Sequence, residues 1–145
     1  HASRETCVNF YVSQVDAINN WDLVDLSCYK ILGHWLFDKD KQLLYDWAKE
    51  NHLWKQRIAM ISCMHFVKQG EFKDALAIAD LLQHHPHDLI HKAVGWILRE
   101  IGKENEQLLV DYLTPRYKKM PRTMLRYAIE RFEEGKRKAF LNSMI

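Results

Sequence analysis

The residues able to do chemistry fall into a register. Arg57, Lys92 and Arg126 recur after 35 and then 34 positions, and 32 positions before Arg57 stands a carboxylate, Asp25. Large rings and further cations lie at helical offsets from these points. Trp21 is four before Asp25, Trp54 three before Arg57, Trp96 four after Lys92, Arg99 seven after Lys92, and Arg122 four before Arg126. Offsets of three, four and seven keep side chains on one helix face. If equivalent helices stack, that face presents aromatic rings, a row of cations and a single acid. A row of cations suits a phosphate backbone, and aromatic faces suit sugars or bases. A lone carboxylate among them would repel such a ligand unless it had a task. The same spacing also has a purely structural meaning: a basic residue at this point of a repeat can bond the neighbouring repeat, and a Trp on a helix is more often core than contact.

Helices must position these residues. Val8, Tyr11, Val12 and Val15, and again Phe72, Ala75, Leu76 and Ala79, follow the i, i+3, i+4, i+7 pattern of an amphipathic helix. The pattern predicts helices at roughly 5–18, 21–36, 40–50, 53–69, 71–83, 88–102, 104–118, 121–132 and 134–143. Gly70, the His85–Asp88 loop ending in a candidate cap at Asp88, Gly102, Pro115, Pro121 and Gly135 read as the breaks. Short connections imply antiparallel neighbours. A period in the mid-thirties holding two helices indicates an all-α, HEAT-like solenoid, an α-α superhelix in which stacked pairs share one core. Trp35 and Trp47 fall among apolar neighbours and read as core.

Composition agrees. With 145 residues and 48% apolar side chains the chain can bury a core as a single domain over 1–145. Only 5 Gly and 3 Pro are present, too few for a many-turned sandwich. The net charge of +2 is small, but Arg116, Lys118, Lys119, Arg122 and Arg126 occupy 112–129 without an acid, and Lys55, Arg57 and Lys68 occupy 51–70 without one. Cys7, Cys28 and Cys63 form neither a disulfide framework nor a zinc pattern, which suits a cytoplasmic location. The run Ile58–Val67 is too short for a bilayer.

The blocks around the register resemble a known family. Asn19-Asn20-Trp21-Asp22-Leu23-Val24-Asp25 resembles the W-D-x-V-D signature of the AlkD-like DNA alkylation repair enzymes. The likeness continues through Leu53–Ala59, Asp88–Glu100 and Met120–Ala128, in the family's order over about 20–128. It implies a HEAT-like DNA glycosylase that excises N3- and N7-alkylated purines without a metal or other cofactor. Asp25 matches the catalytic carboxylate, Trp21 and Trp96 the rings beside the lesion nucleotide's backbone and sugar, and Arg57 the arginine that holds the DNA backbone there. Because family members carry further helices upstream, the resemblance implies an N-terminally shortened chain. Trp54, Lys55, Lys92, Arg99, Arg122 and Arg126 are assigned as DNA contacts from register and charge. The expected partner is double-stranded DNA with alkylated purines, bound by a monomer, with no membrane.

Two rivals stand beside the enzyme: a non-catalytic relative that binds DNA of unusual shape, and a protein-binding HEAT scaffold. Asp25 speaks against the first, because pure binding is served better by a neutral or basic residue. The shared face of Trp and cations speaks against the second. His84, His85 and His87 could capture a divalent ion, but no acid or Cys is spaced to complete a site. A polar surface loop is the better reading, and His65 and His91 are given no role.

Overall fold

The computed structural model describes Leu36 and residues 41–142. These residues form seven helices: α1 (Gln42–Lys49), α2 (Leu53–Lys68), α3 (Lys73–Leu82), α4 (Asp88–Glu104), α5 (Glu106–Leu113), α6 (Arg122–Ala128) and α7 (Glu134–Leu141). No strand occurs among the described residues. Apart from Leu36, the two helices expected before residue 40 lie outside them.

The fold is an all-α repeat solenoid. Helices α2, α4 and α6 pack side by side, with α4 in the middle. Helices α1 and α3 lie against α2, and α3 and α5 against α4. This arrangement explains why α2 lacks an apolar stripe. From Gln56 to Val67 every residue except His65 is buried, because α1, α3 and α4 cover it from three sides. Trp47 is buried as expected. Burying a side chain such as Ile58 or Ile97 contributes about 1.5–3 kcal/mol.

The outer layer is stitched by half-buried and exposed polar bonds. Helix α3 offers Asp74 to the Tyr45 hydroxyl of α1 at 2.6 Å and Asp80 to the Tyr112 hydroxyl of α5 at 2.8 Å. Burial, with the adjoining carboxylate, pushes both phenol pKa values up. Arg116 Nε reaches Asp80 at 2.9 Å, and its guanidinium lies 4.0 Å from the Tyr112 ring centre. Arg116, counted above in the basic stretch 112–129, is therefore committed to the opposite layer.

The helix ends correct several expected breaks. Gly70 does end α2: at φ +83 it permits Glu71 N–H to reach the Phe66 carbonyl and its own N–H the Val67 carbonyl, the paired closure of a Schellman motif. Gly102, by contrast, lies inside α4. A Cβ there would stand 2.6 Å from a Leu109 methyl, so the glycine serves close packing of α4 on α5. The true boundary is Asn105, which accepts from Leu108 N–H at 3.1 Å as N-cap of α5. Asp88 opens α4 but does not cap it; His87 Nδ1 accepts from Leu89 N–H at 3.0 Å. Gly135 is the second residue of α7, capped by Glu133. The helix expected over 104–118 stops at Leu113, because Pro115 has no N–H with which to continue the ladder; turns carry the chain to α6.

Candidate nucleic-acid interface

The three register cations lie on α2, α4 and α6, the three helices packed in one layer. Arg57, on α2, is 6% exposed. Its guanidinium donates to the Leu89 carbonyl in the first turn of α4 at 2.7 Å. That bond ties two successive repeats at the level of the register. Five donors on one fork allow Arg57 to serve this joint and a further acceptor together.

The neighbours of Arg57 are also engaged. Lys55 meets Glu50 at 3.4 Å and sits 6.0 Å from the Trp47 ring centre. Trp54 is half-buried against the core. On α4, Lys92 pairs with Asp88 one turn back at 3.3 Å, both well exposed. Exposed pairs of this kind contribute only about 0.2–1 kcal/mol, so a phosphate can displace the aspartate. Trp96 is half-buried, between buried Gly95 and Ile97. Arg99 reaches Glu130 at 3.1 Å across to the end of α6 and approaches Glu100 at 3.7 Å; its buried Nε has no hydrogen-bond partner. On α6, Arg122 and Arg126 are exposed, and neither forms an ion pair among the described residues. Trp21 and Asp25 lie outside the described residues.

Gly95 sets how closely this layer packs. A Cβ there would lie 2.5 Å from the Cβ of Tyr127 and 2.7 Å from the backbone oxygen of Met124. Only glycine lets α4 and α6 approach this closely, and Gly95 is next to Trp96.

A family model described as DNA alkylation repair enzyme matches residues 1–132. The chain belongs to the DNA alkylation repair enzyme family. No curated protein is matched by it. The family match takes in every register residue, Trp21 and Asp25 among them, and ends before α7. No helix among the described residues is long and apolar enough to cross a membrane.

Around the family's register the structure adds residues that spacing did not single out. His85 takes part in a network joining the loop before α4 to α2. Its Nδ1 accepts from His87 N–H at 3.0 Å, which places the proton on Nε2, 2.9 Å from Gln56 Oε1. His91, given no role above, bonds the His85 carbonyl. The histidine loop is thus a joint between repeats rather than a purely polar surface. Burial, then the charges of His87 and His91, hold the His85 pKa below its ordinary 6.5. A lowered imidazole pKa means that the unfolded chain takes up a proton more readily than the folded one. The contribution of His85 is therefore complete above 6.5 and is lost as pH falls through the depressed value. Urea midpoints should drop between about pH 7.5 and pH 5.5, and by less in His85→Gln; equal drops would show that His85 does not contribute.

Glu130, the partner of Arg99, was also passed over. It follows Arg126 by four positions and Arg99 by 31, so a search for acids one repeat away from the cations would have found it.

Proposed function

We propose that this chain is a DNA glycosylase that excises positively charged N3- or N7-alkylated purines from double-stranded DNA, as the first step of base excision repair. One observation carries the reading: Arg57, Lys92 and Arg126 occupy three helices packed in one layer, within the residues matched by the family model. Asp25, Trp21 and Trp96 complete the proposed site.

The chemistry follows from the substrate. Alkylation at N3 or N7 leaves a formal positive charge on the purine. When the glycosidic bond breaks, the base takes the bonding electron pair and departs neutral, so no general acid is needed. Positive charge then develops on the deoxyribose. The Asp25 carboxylate stabilises that oxocarbenium-like state and receives the proton of the water that adds at the anomeric carbon. Trp21 and Trp96 lend ring faces to the same charge. The products are a free alkylated base and an abasic site. An unmodified purine, which would leave as an anion, is spared. Glycosylases often extrude the target base; a shallow solenoid face instead suits approach from the backbone side.

In this reading Arg57 holds the backbone beside the lesion, Lys92, Arg122 and Arg126 hold flanking phosphates, and Arg99, Lys55 and Trp54 border the track. The proposed form is a cytoplasmic monomer. Arg57→Ala is expected to weaken DNA binding and flatten its dependence on salt by about one unit of slope, measured by fluorescence anisotropy over a salt series. The variant should also lose about 1.5–3 kcal/mol of stability with its charged bond to Leu89. An unchanged salt slope would remove Arg57 from the phosphate track.

A further inference from the structure

A cavity of about 310 Å³ opens between α6 and α7, lined by Arg126, Tyr127, Ile129, Glu130, Arg137 and Leu141. Its walls differ in chemistry. Arg126 and Arg137 supply two guanidinium groups, neither in an ion pair among the described residues. Half-buried Tyr127 and Leu141 supply an apolar surface, with buried Ile129 behind them. Glu130 supplies an acceptor whose Oε2 is already held by Arg99 at 3.1 Å. Two arginines lining one space, neither in an ion pair among the described residues, can hold a phosphate by paired N–H donors. A bare phosphate would leave the apolar side of a cavity this size uncovered, and such volumes are those of small-molecule sites.

We infer that the α6–α7 cavity binds a deoxynucleoside 5′-phosphate, with the phosphate between Arg126 and Arg137 and the base against Tyr127 and Leu141. Glu130 Oε1 then accepts from an amino group of the base. The Arg137 and Leu141 walls come from α7, beyond residue 132 where the family match ends. The site lies apart from Asp25 in the sequence and needs no lesion. The ligand is either a free nucleotide or the phosphorylated end of a strand, and the chemistry is shared. Through the Arg99–Glu130 pair the cavity also touches the face of α4 that carries Trp96.

The test uses the whole chain without lesion DNA. Because Arg126 is shared with the proposed phosphate track, the substitution is made at Arg137, which is not, so that its failure is distinguishable from failure of the excision reading. Amide and methyl NMR shifts are followed while dAMP, deoxyadenosine, inorganic phosphate, or a short oligonucleotide with a 5′-phosphate or a 5′-hydroxyl is added. Expected are saturable shifts at Tyr127, Ile129 and Leu141 with dAMP or with the 5′-phosphorylated strand, and none with deoxyadenosine. Binding of dAMP points to the free nucleotide; binding of the phosphorylated strand alone points to the strand end. Arg137→Gln should weaken the response about tenfold or more, with the spectrum elsewhere confirming the fold. The inference is overturned if neither phosphorylated probe shifts these residues, if inorganic phosphate binds as well as dAMP, or if Arg137→Gln binds like the parent.

Discussion

Gly95→Ala is expected to be among the most damaging single-methyl changes in the described part of the chain. The added carbon meets the Tyr127 Cβ at 2.5 Å and the Met124 carbonyl oxygen at 2.7 Å. One of these obstacles is backbone, so no rotamer change relieves it and α4 must move from α6. Forcing a methyl into packed surroundings costs about 1–3 kcal/mol. Better helix propensity returns at most about 1 kcal/mol. With a backbone atom in the way the upper part of the range applies, and the net loss lowers the melting temperature by several degrees. The contact between α4 and α6 is the most extensive in the described structure, and it sets Trp96 relative to Arg122 and Arg126. Gly95→Ala should therefore weaken DNA binding even at temperatures where the variant is fully folded. Thermal unfolding and DNA affinity, measured on the same preparation, check both effects. A variant as stable as the parent would mean that the two helices do not approach as closely as described.

The second large effect concerns Asp25. Asp25→Asn keeps the shape of the side chain and removes its charge. In the proposed mechanism that charge faces the sugar as it turns cationic. Removing one such preorganised group costs about a hundred- to a thousandfold in turnover, or about 3–4 kcal/mol. The effect should fall on kcat and leave DNA affinity unchanged or slightly improved, since an anion near a phosphate backbone opposes binding. Single-turnover excision and equilibrium binding separate the two. Native turnover in Asp25→Asn would take the carboxylate out of the reaction.

The features legible in the sequence were those that stacking forces to repeat. Helix pairs of equal size bring Arg57, Lys92 and Arg126 round at nearly equal intervals, and the structure sets them on adjacent helices of one layer. Trp47 was legible as core from its apolar surroundings. Less legible were features decided by contacts between repeats. Gly102 looks like a helix stop but answers to Leu109. Asn105, which ends one helix and caps the next, is a favoured cap residue, but Gly102 three positions earlier offers a competing stop signal. Charge was the weakest guide. Arg116 belongs to an acid-free stretch, yet its acid, Asp80, arrives from 36 residues away. Arg99 is likewise met by Glu130 from 31 away. Local charge counts see only neighbours in the chain, whereas a solenoid pairs residues one repeat apart.

The pairing changes what the row of cations can do. Lys92 and Lys55 hold weak, solvent-exposed or partly exposed partners that a phosphate can replace. Arg122 and Arg126 stand exposed on α6. Arg57 is buried and spans two repeats, so its loss combines a structural and an electrostatic penalty. Stability must be measured beside affinity to tell them apart.

Excision itself is tested most directly by the fate of the methyl group. Duplex DNA methylated at guanine N7 is incubated with the protein, and the released material and the strand are analysed separately. The account predicts free 7-methylguanine in solution and an alkali-labile abasic sugar in the strand. Guanine left in place without its methyl group, or 7-methylguanine left intact in the duplex, would contradict it.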